Sequence, residues 1–314
     1  MLQPGSASSV TGRPLFFGYA VLCLIWGSTW LAIRILVRHA PPLEAAGIRF
    51  LIAGLLLVGL AWVQKRKRPR GRRAWNGILV LSITIMAIPY GLLFWAEQYV
   101  TSSMAAVLFS AMPLMVALLT PVMMGRKVPR SAVFALVVAF GGLLVLFYTG
   151  LSASRMAQWG GAGVLAAMML SAWSVVYAKD RLQDVDSVIG TGSQLLLASL
   201  PLLWGTWALE ARRQAHWTPA ALTALAFLTI FGSCVAFVIY YWLLKRMQPY
   251  QLATTSLVVP LIAVLEGALF ARERVPLMMI VAMAVVLISV GSVLRAEAGA
   301  ERQVDILMLR SKTP

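Results

Sequence analysis

The sequence predicts an all-α polytopic membrane protein of ten transmembrane helices, arranged as two inverted five-helix repeats. Three observations lead there. Hydrophobic residues make up 60% of the 314-residue chain and charged residues 12%, against roughly 25% charged in an ordinary soluble domain. The apolar residues come in runs of about 20, long enough to cross a hydrocarbon core of about 30 Å as helices. Finally, the chain matches itself at one constant offset of 147: Trp26 with Trp173, Arg34 with Arg181, Trp95 with Trp242, Pro113 with Pro260, Leu114 with Leu261, Val128 with Val275 and Pro129 with Pro276. Trp and Pro are uncommon residues, so the agreement marks a duplication rather than chance.

The expected spans run near Leu15–Val37, Leu43–Val63, Asn76–Ala96, Ser102–Met123 and Ser131–Tyr148 in the first copy. Those of the second run near Gly160–Ala178, Ser187–Leu209, Pro219–Leu244, Tyr250–Ala271 and Pro276–Leu294. Lipid offers no partners to backbone groups, so helix is the form such runs take. Pro, Gly and charge punctuate them at Ala40-Pro41-Pro42, Gly125-Arg126-Lys127-Val128-Pro129 and Arg272-Glu273-Arg274-Val275-Pro276. Residues 1–14 read as a cytoplasmic segment, 15–150 and 158–295 as the two repeats, and 296–314 as a solvated cytoplasmic tail. Five spans per copy is an odd number, so the second copy enters the bilayer in the opposite orientation. Inverted repeats of this kind build carriers whose central site opens alternately to each side.

Charge sets the expected orientation. The loop Lys65–Arg73 carries seven cations and no acid, and cytoplasmic loops collect Lys and Arg. Both termini then lie inside, and 19 of the 27 basic residues fall on that side, with seven outside and Arg49 in a span. The net charge of +16 is accounted for by topology and by attraction to anionic lipid. A basic run can also bind nucleic acid, but this one sits between two spans, so no nucleic-acid partner is expected. Met1–Arg13 is polar and precedes an apolar run of full spanning length, unlike a cleavable signal. Cys23 and Cys234 both fall inside expected helices, so neither a disulfide nor a metal site is expected. There is no phosphate loop, metal-ligand cluster or nucleophile arrangement, and no cofactor or enzymatic activity is expected. His39 and His216 stand alone near helix ends.

Several segments, taken in order, resemble one family. Trp26-Gly27-Ser28-Thr29-Trp30-Leu31-Ala32-Ile33-Arg34 opens the set, followed by Ile48-Arg49-Phe50 after a Pro-Pro turn. Trp95-Ala96-Glu97-Gln98-Tyr99-Val100, Ala105-Ala106-Val107-Leu108 and Met112-Pro113-Leu114 come next. The second copy echoes them at Ala172-Trp173-Ser174-Val175 and from Val259-Pro260 through Arg272-Glu273-Arg274. These segments look like the signatures of the EamA family of the drug/metabolite transporter superfamily, over about residues 15 to 295. The resemblance implies a ten-helix inner-membrane carrier that exports small metabolites, amino acids and related amphiphilic compounds foremost. One departure stands out. Such repeats often carry Glu after the fourth span as well as the ninth, and here the position matching Glu273 is Arg126.

Transport chemistry has to come from residues inside spans. Trp26, Ser28, Thr29 and Trp30 lie together midway along the first, beside Gly27, where another backbone can come close. The repeat matches Trp173 and Tyr177 to Trp26 and Trp30, which places both pairs as walls of one central cavity or as packing. Tyr90 and Trp95, with mates Phe237 and Trp242, line the path or fill the bundle. Pro113 and Pro260 each remove a backbone bond inside a span, and a matched pair of broken helices points to a transporter site. Ser110, Thr254, Thr255 and Ser256 stand near them to satisfy freed groups or touch substrate. The intramembrane charges are Arg34, Arg49, Glu97 and Glu266. Arg34 and Glu97 sit near enough to the interface to snorkel. Arg49 and Glu266 lie deeper, as an ion pair or as contacts to a charged substrate, and Glu266 is the best candidate proton carrier. Trp62, Trp75, Trp159, Trp204, Trp207 and Trp217 cluster at span ends, where interfacial belts form.

The expected partners are a small-molecule substrate, the lipid bilayer and, for a coupled carrier, protons; a homodimer is left open. Rival readings are a nucleotide-sugar carrier, a non-transporting scaffold or sensor, and a membrane-embedded enzyme. The last needs a clustered acid/base or metal set within the spans.

Overall fold

The computed structural model describes residues 12–100, 102–147, 155–270 and 277–310; within these, the side chains at 102, 103, 143, 145–147, 263, 264, 266–270, 278, 279 and 296–310 are outside the description. Every regular element among the described residues is helical. The first copy holds α1 (Arg13–Val37), α2 (Pro42–Val63), α3 (Gly71–Ala96), α4 (Ser102–Phe109), α5 (Met112–Met124) and α6 (Arg130–Phe147). The second holds α7 (Arg155–Arg181), α8 (Ser187–Leu209), α9 (Pro219–Leu244), α10 (Pro249–Ala253), α11 (Thr255–Phe270) and α12 (Leu277–Arg310). Among the described residues, seven helices are long and apolar enough to cross a membrane: α1, α2, α3, the stretch Met104–Met124, α7, α8 and α9. The shorter apolar stretches Arg130–Gly142 and Ile280–Arg295 stand where the fifth and tenth spans are expected. The loop Arg272-Glu273-Arg274 lies outside the described residues. Backbone helix also continues past Arg295 to Arg310, through most of the expected tail.

Local chemistry sets the ends. Pro42 and Pro219 sit in the first turns of α2 and α9, where a missing N–H costs nothing. Asp186 caps α8, accepting from the Val188 and Ile189 amides at 2.9 and 3.3 Å, and also binds Arg66 at 3.0 Å. Burial pushes this carboxyl's proton affinity up, but the bonds from Arg66 and the two amides outweigh it and hold it below the ordinary Asp range. A depressed native value means that the contribution is present above the unfolded pKa and is lost as pH falls through the lower folded one. Asp186→Ala is therefore expected to cost about 1 kcal/mol at neutral pH, and Asp186→Asn less. Thermal unfolding in detergent at pH 7 checks this; equal losses for both variants would contradict the capping account. At the opposite end Glu210 caps α2, accepting from the Leu43 amide at 3.0 Å.

The two copies interlock. α2 packs along α8 and α6 along α12, so these spans pair with their repeat mates. α1 packs on α9 and α11 of the other copy, and α7 packs on α3 and α5. Glycine allows the closest of these approaches. A Cβ at Gly54 would stand 2.8 Å from the Leu196 backbone nitrogen, and one at Gly27 only 2.5 Å from the Ile262 side chain. Large apolar side chains such as Trp62, Trp159, Trp204 and Trp207 point out of the bundle, as lipid-facing belt residues do, whereas Trp217 packs against the core.

The backbone departs from regular α-helix in matched places in the two copies, at two π turns that the sequence did not signal and at two breaks near the expected prolines. Span three carries a π-helical turn at Ser82–Ala87 and span eight one at Ile230–Val235, the same place in the two copies to within one residue. Span four breaks at Ser110–Ala111 and span nine at Thr254. The prolines do not mark these breaks in the same way. Pro113 sits in the first turn of α5, just after its break, while Pro260 lies inside α11, six residues past Thr254. Local hydroxyls add bonds to the carbonyls before the breaks: Ser110 Oγ donates to Val107 O, Thr254 Oγ1 to Gln251 O and Thr255 Oγ1 to Leu252 O, with Val107 O and Gln251 O also accepting the Ser110 and Thr254 amides.

Candidate functional site

A cavity lies at the centre of the bundle, and its walls are drawn from both copies. Five pairs of lining residues are related by the 147-residue offset: Tyr90 and Phe237, Leu93 and Tyr240, Ala106 and Ala253, Phe109 and Ser256, Met112 and Val259. The π-turned spans and the broken spans thus form a quasi-symmetric cage. The first span adds Trp26, Thr29, Trp30 and Ile33, and the sixth adds Ser171. The room left for the centres of water molecules is about 90 Å³.

Aromatic rings hold the walls in place. Trp26 meets Phe237 edge-on at 5.7 Å and Tyr240 at 5.2 Å, while Tyr90 meets Phe237 at 5.8 Å and Phe50 at 5.1 Å. Such contacts add to the burial of the rings themselves. Arg49 lies just behind. It is 1% exposed, donates through Nε to Ser233 Oγ at 2.7 Å and through Nη2 to Gly232 O at 3.1 Å, and faces the rings of Phe50, Tyr90 and Phe94 at 5.3 to 5.9 Å. Ser233 and Gly232 both belong to the second π turn, so guanidinium and π turn form one assembly. A Cβ at Gly232 would stand 3.1 Å from Arg49 Nη2 and 3.0 Å from Thr29 Cγ2, so any larger residue there would have to push one of these side chains aside.

The sequence-derived residues are placed as follows. Trp26, Thr29, Trp30, Tyr90 and Thr255 line the cavity. Ser28 turns back to Leu24 O at 3.1 Å, and Ser110, Pro113 and Pro260 are buried in the helix packing. Trp95 stacks edge-on with Tyr99 at 5.3 Å and lines a separate outer cleft with Gln98, Glu210 and Arg213. The expectation of two matched pairs on one cavity holds for Trp26 and Trp30 alone. Trp173 and Tyr177 are half-buried, stacked on each other at 5.0 Å and absent from the cavity walls. Glu97 is 3% exposed at the C-cap of α3, a correction to its snorkelling out. Beside that turn α7 runs close, for a Cβ at Gly160 would stand 3.0 Å from Val100, 3.3 Å from Tyr99 and 3.4 Å from Ala96 O. Arg34 reaches back to Val100 O at 3.3 Å. The Glu266 side chain lies outside the described residues, although α11, which carries it, packs on α1 and α4. Phe237 and Ser256, named as candidates beside Tyr90 and Thr255, also line the cavity, whereas Phe109, Met112, Ser171, Tyr240 and Val259 line it without having been singled out as path residues; the 147 offset that relates Phe109 to Ser256 and Met112 to Val259 was the available signal.

Two sets of contacts close the ends of the cage. On the side of the basic loop, Lys179 Nζ donates to Leu244 O at 2.7 Å, Met247 O at 2.9 Å and Lys245 O at 3.1 Å. At the other end Arg34 donates to Val100 O. Val100 and Met247 are themselves repeat mates, so the two ends use equivalent carbonyls with unequal numbers of bonds.

An internally duplicated helical bundle around a cavity walled by both copies fits the class of solute carriers built from structural repeats. The model of the EamA-like transporter family matches residues 15–148 and 158–295, and the chain belongs to that family. It is 28% identical over 90% of its length to the uncharacterized inner membrane transporter YedA of Escherichia coli (strain K12), covering 92% of that protein. It is 26% identical to the uncharacterized transporter YoaV of Bacillus subtilis (strain 168), over 83% of this chain and 90% of that one. Protein PagO of Salmonella typhimurium is 28% identical over 78% of this chain and 81% of its own. A solved crystal structure superposes with a TM-score of 0.74 at 16% identity, over 88% of this chain and 96% of that one, a likeness of fold. The chain is a multi-pass membrane transporter.

Proposed function

We propose that the protein exports small organic metabolites, amino acids or related amphiphilic compounds, from the cytoplasm by alternating access. The observation that carries this reading is the central cavity, lined by repeat-mated residues of both copies and by Trp26, Thr29 and Trp30. A cage of equivalent halves can rock about a fixed site, and equivalent carbonyls at Val100 and Met247 give each end a latch. Ten spans with both termini and the loop Lys65–Arg73 in the cytoplasm complete the arrangement; its support is the distribution of Lys and Arg. Reporter fusions after Arg73 and after Gln214 are expected to give opposite signals, and matching signals would refute the inverted arrangement.

Export is tested by metabolite-panel efflux from cells lacking and overexpressing the protein. The expected result is one or a few amphiphilic solutes that leave faster with the protein and accumulate without it; an unchanged panel contradicts it. Proton coupling rests on Glu266 as a carboxyl in a span. If it carries the proton, Glu266→Gln abolishes the response of flux to an imposed pH gradient in a folded protein; an intact response removes that role.

A further inference from the structure

Three buried donors around the central cavity have no acceptor. The indole Nε1 of Trp26, the hydroxyl of Tyr240 and Nη1 of Arg49 are all enclosed and without a hydrogen-bond partner. Trp26 and Tyr240 both line the cavity with their rings 5.2 Å apart. Arg49 stands one layer behind, its guanidinium 5.3 Å from the lining ring of Tyr90 and across the missing Cβ of Gly232 from Thr29. An unmet buried polar group is costly, and native proteins keep such groups few. Two of them on the cavity wall and a third, charged, one layer behind are poor packing but good preorganisation for a ligand.

The chemistry of the three groups selects that ligand. An indole N–H and a guanidinium only donate, and a phenol can donate. The ligand must therefore bring acceptors, and a carboxylate brings two oxygens able to take several bonds together with the charge that Arg49 lacks. Among the described residues Arg49 has no ion-pair partner, and the described lining of the cavity holds no acid to receive an ammonium group. The rest of the wall is largely apolar, with Ile33, Leu93, Phe109, Phe237 and Val259, and the hydroxyls of Thr29, Thr255 and Ser256 on it are already donated to the backbone carbonyls of Trp26, Leu252 and Ala253. We infer that the cavity binds a small organic acid, its carboxylate held by Trp26 and Tyr240 within the positive field of Arg49 behind them and its apolar body packed on the aromatic wall. This rests on the carrier reading above and narrows it to a solute whose anionic pole is the recognised feature.

Tyr240→Phe separates binding from folding, because it deletes one oxygen that has no partner in the protein. Purified protein in nanodiscs at pH 7 is titrated with 3-phenylpropanoate, its primary amide and 2-phenylethylamine, with binding read from thermal stabilisation. The wild type is expected to bind the acid at least about tenfold tighter than the amide, and the amine more weakly still. Tyr240→Phe is expected to melt no lower than the wild type without ligand, yet to lose about tenfold in affinity for the acid and little for the amide. An amide or amine that binds as well as the acid overturns the inference, as does undiminished acid binding by Tyr240→Phe, or failure of the acid to bind at all. Proteoliposomes made from the same preparation keep the two readings apart. Flux of neutral or cationic solutes, insensitive to Tyr240→Phe, leaves the carrier standing and removes the carboxylate site; absence of flux for every solute removes both.

Discussion

Lys179→Ala is expected to open the end of the cage on the side of the basic loop, the cytoplasmic end on the proposed topology. The Lys179 ammonium holds three backbone carbonyls, at Leu244, Lys245 and Met247, and so staples the last turn of α7 to the chain that leaves α9. Hydrogen bonds to a charged group contribute more than neutral ones, about 1.5–3 kcal/mol each when buried. Partial exposure of Lys179 reduces this, and about 2 kcal/mol for the whole staple shifts the equilibrium between closed and open ends roughly 30-fold. No other cation shares those carbonyls among the described residues. Lys245 points instead to Val185 O. Alkylation of a cysteine placed at Ser256, in a chain lacking Cys23 and Cys234, reads the change. A membrane-impermeant maleimide supplied from the cytoplasmic side should react at least tenfold faster in Lys179→Ala. An unchanged rate would mean that the staple closes nothing. Arg34→Ala should act on the other face and by less, since Arg34 makes one bond of 3.3 Å to Val100 O.

Arg49→Lys is expected to abolish transport although it keeps the charge. A guanidinium is a flat fork that bonds Ser233 and Gly232 and lies near three ring faces together; an ammonium is a compact point charge that cannot. The lysine variant leaves Ser233 or Gly232 unmet and loses the ring contacts, for a loss of roughly 2–3 kcal/mol in stability. Arg49→Met goes further, leaving both acceptors unmet. Melting temperature in detergent and flux in proteoliposomes are the two readouts. A lysine variant with wild-type flux would show that only charge matters at this position and that the π turn does not depend on Arg49.

Much of the architecture was legible because a bilayer punishes exceptions. Apolar length, backbone satisfaction and the 147-residue match leave few alternatives to a duplicated helical bundle, and Trp26, Trp30 and Tyr90 followed from it onto the cavity wall. The misses have physical causes. Trp173 and Tyr177 were carried over by symmetry from Trp26 and Trp30, but quasi-equivalent helices need not present equivalent faces. α7 packs on α3 and α5 with small residues such as Gly160 and Gly163 against Trp95 and its neighbours, and its aromatic pair stacks away from the cavity. The helix breaks were sought at Pro113 and Pro260, yet Pro113 opens a helix, where a missing N–H costs nothing, and Pro260 lies within its helix six residues past the break at Thr254. The π turns had no signal of their own in span eight, where Gly232 and Ser233 gain their meaning only from Arg49, 183 and 184 positions away.

Ala253→Trp tests the central claim most directly. Ala253 lines the cavity in the short helix before the break of span nine, opposite its mate Ala106, and an indole there fills space that a solute needs. Flux of the panel's best solute is measured in proteoliposomes for the wild type, for Ala253→Trp, and for Leu200→Trp on the outer, lipid-facing surface. The account predicts normal flux for Leu200→Trp and near-complete loss for a folded, inserted Ala253→Trp. Wild-type flux through a folded Ala253→Trp would contradict it, because the solute would then be crossing elsewhere.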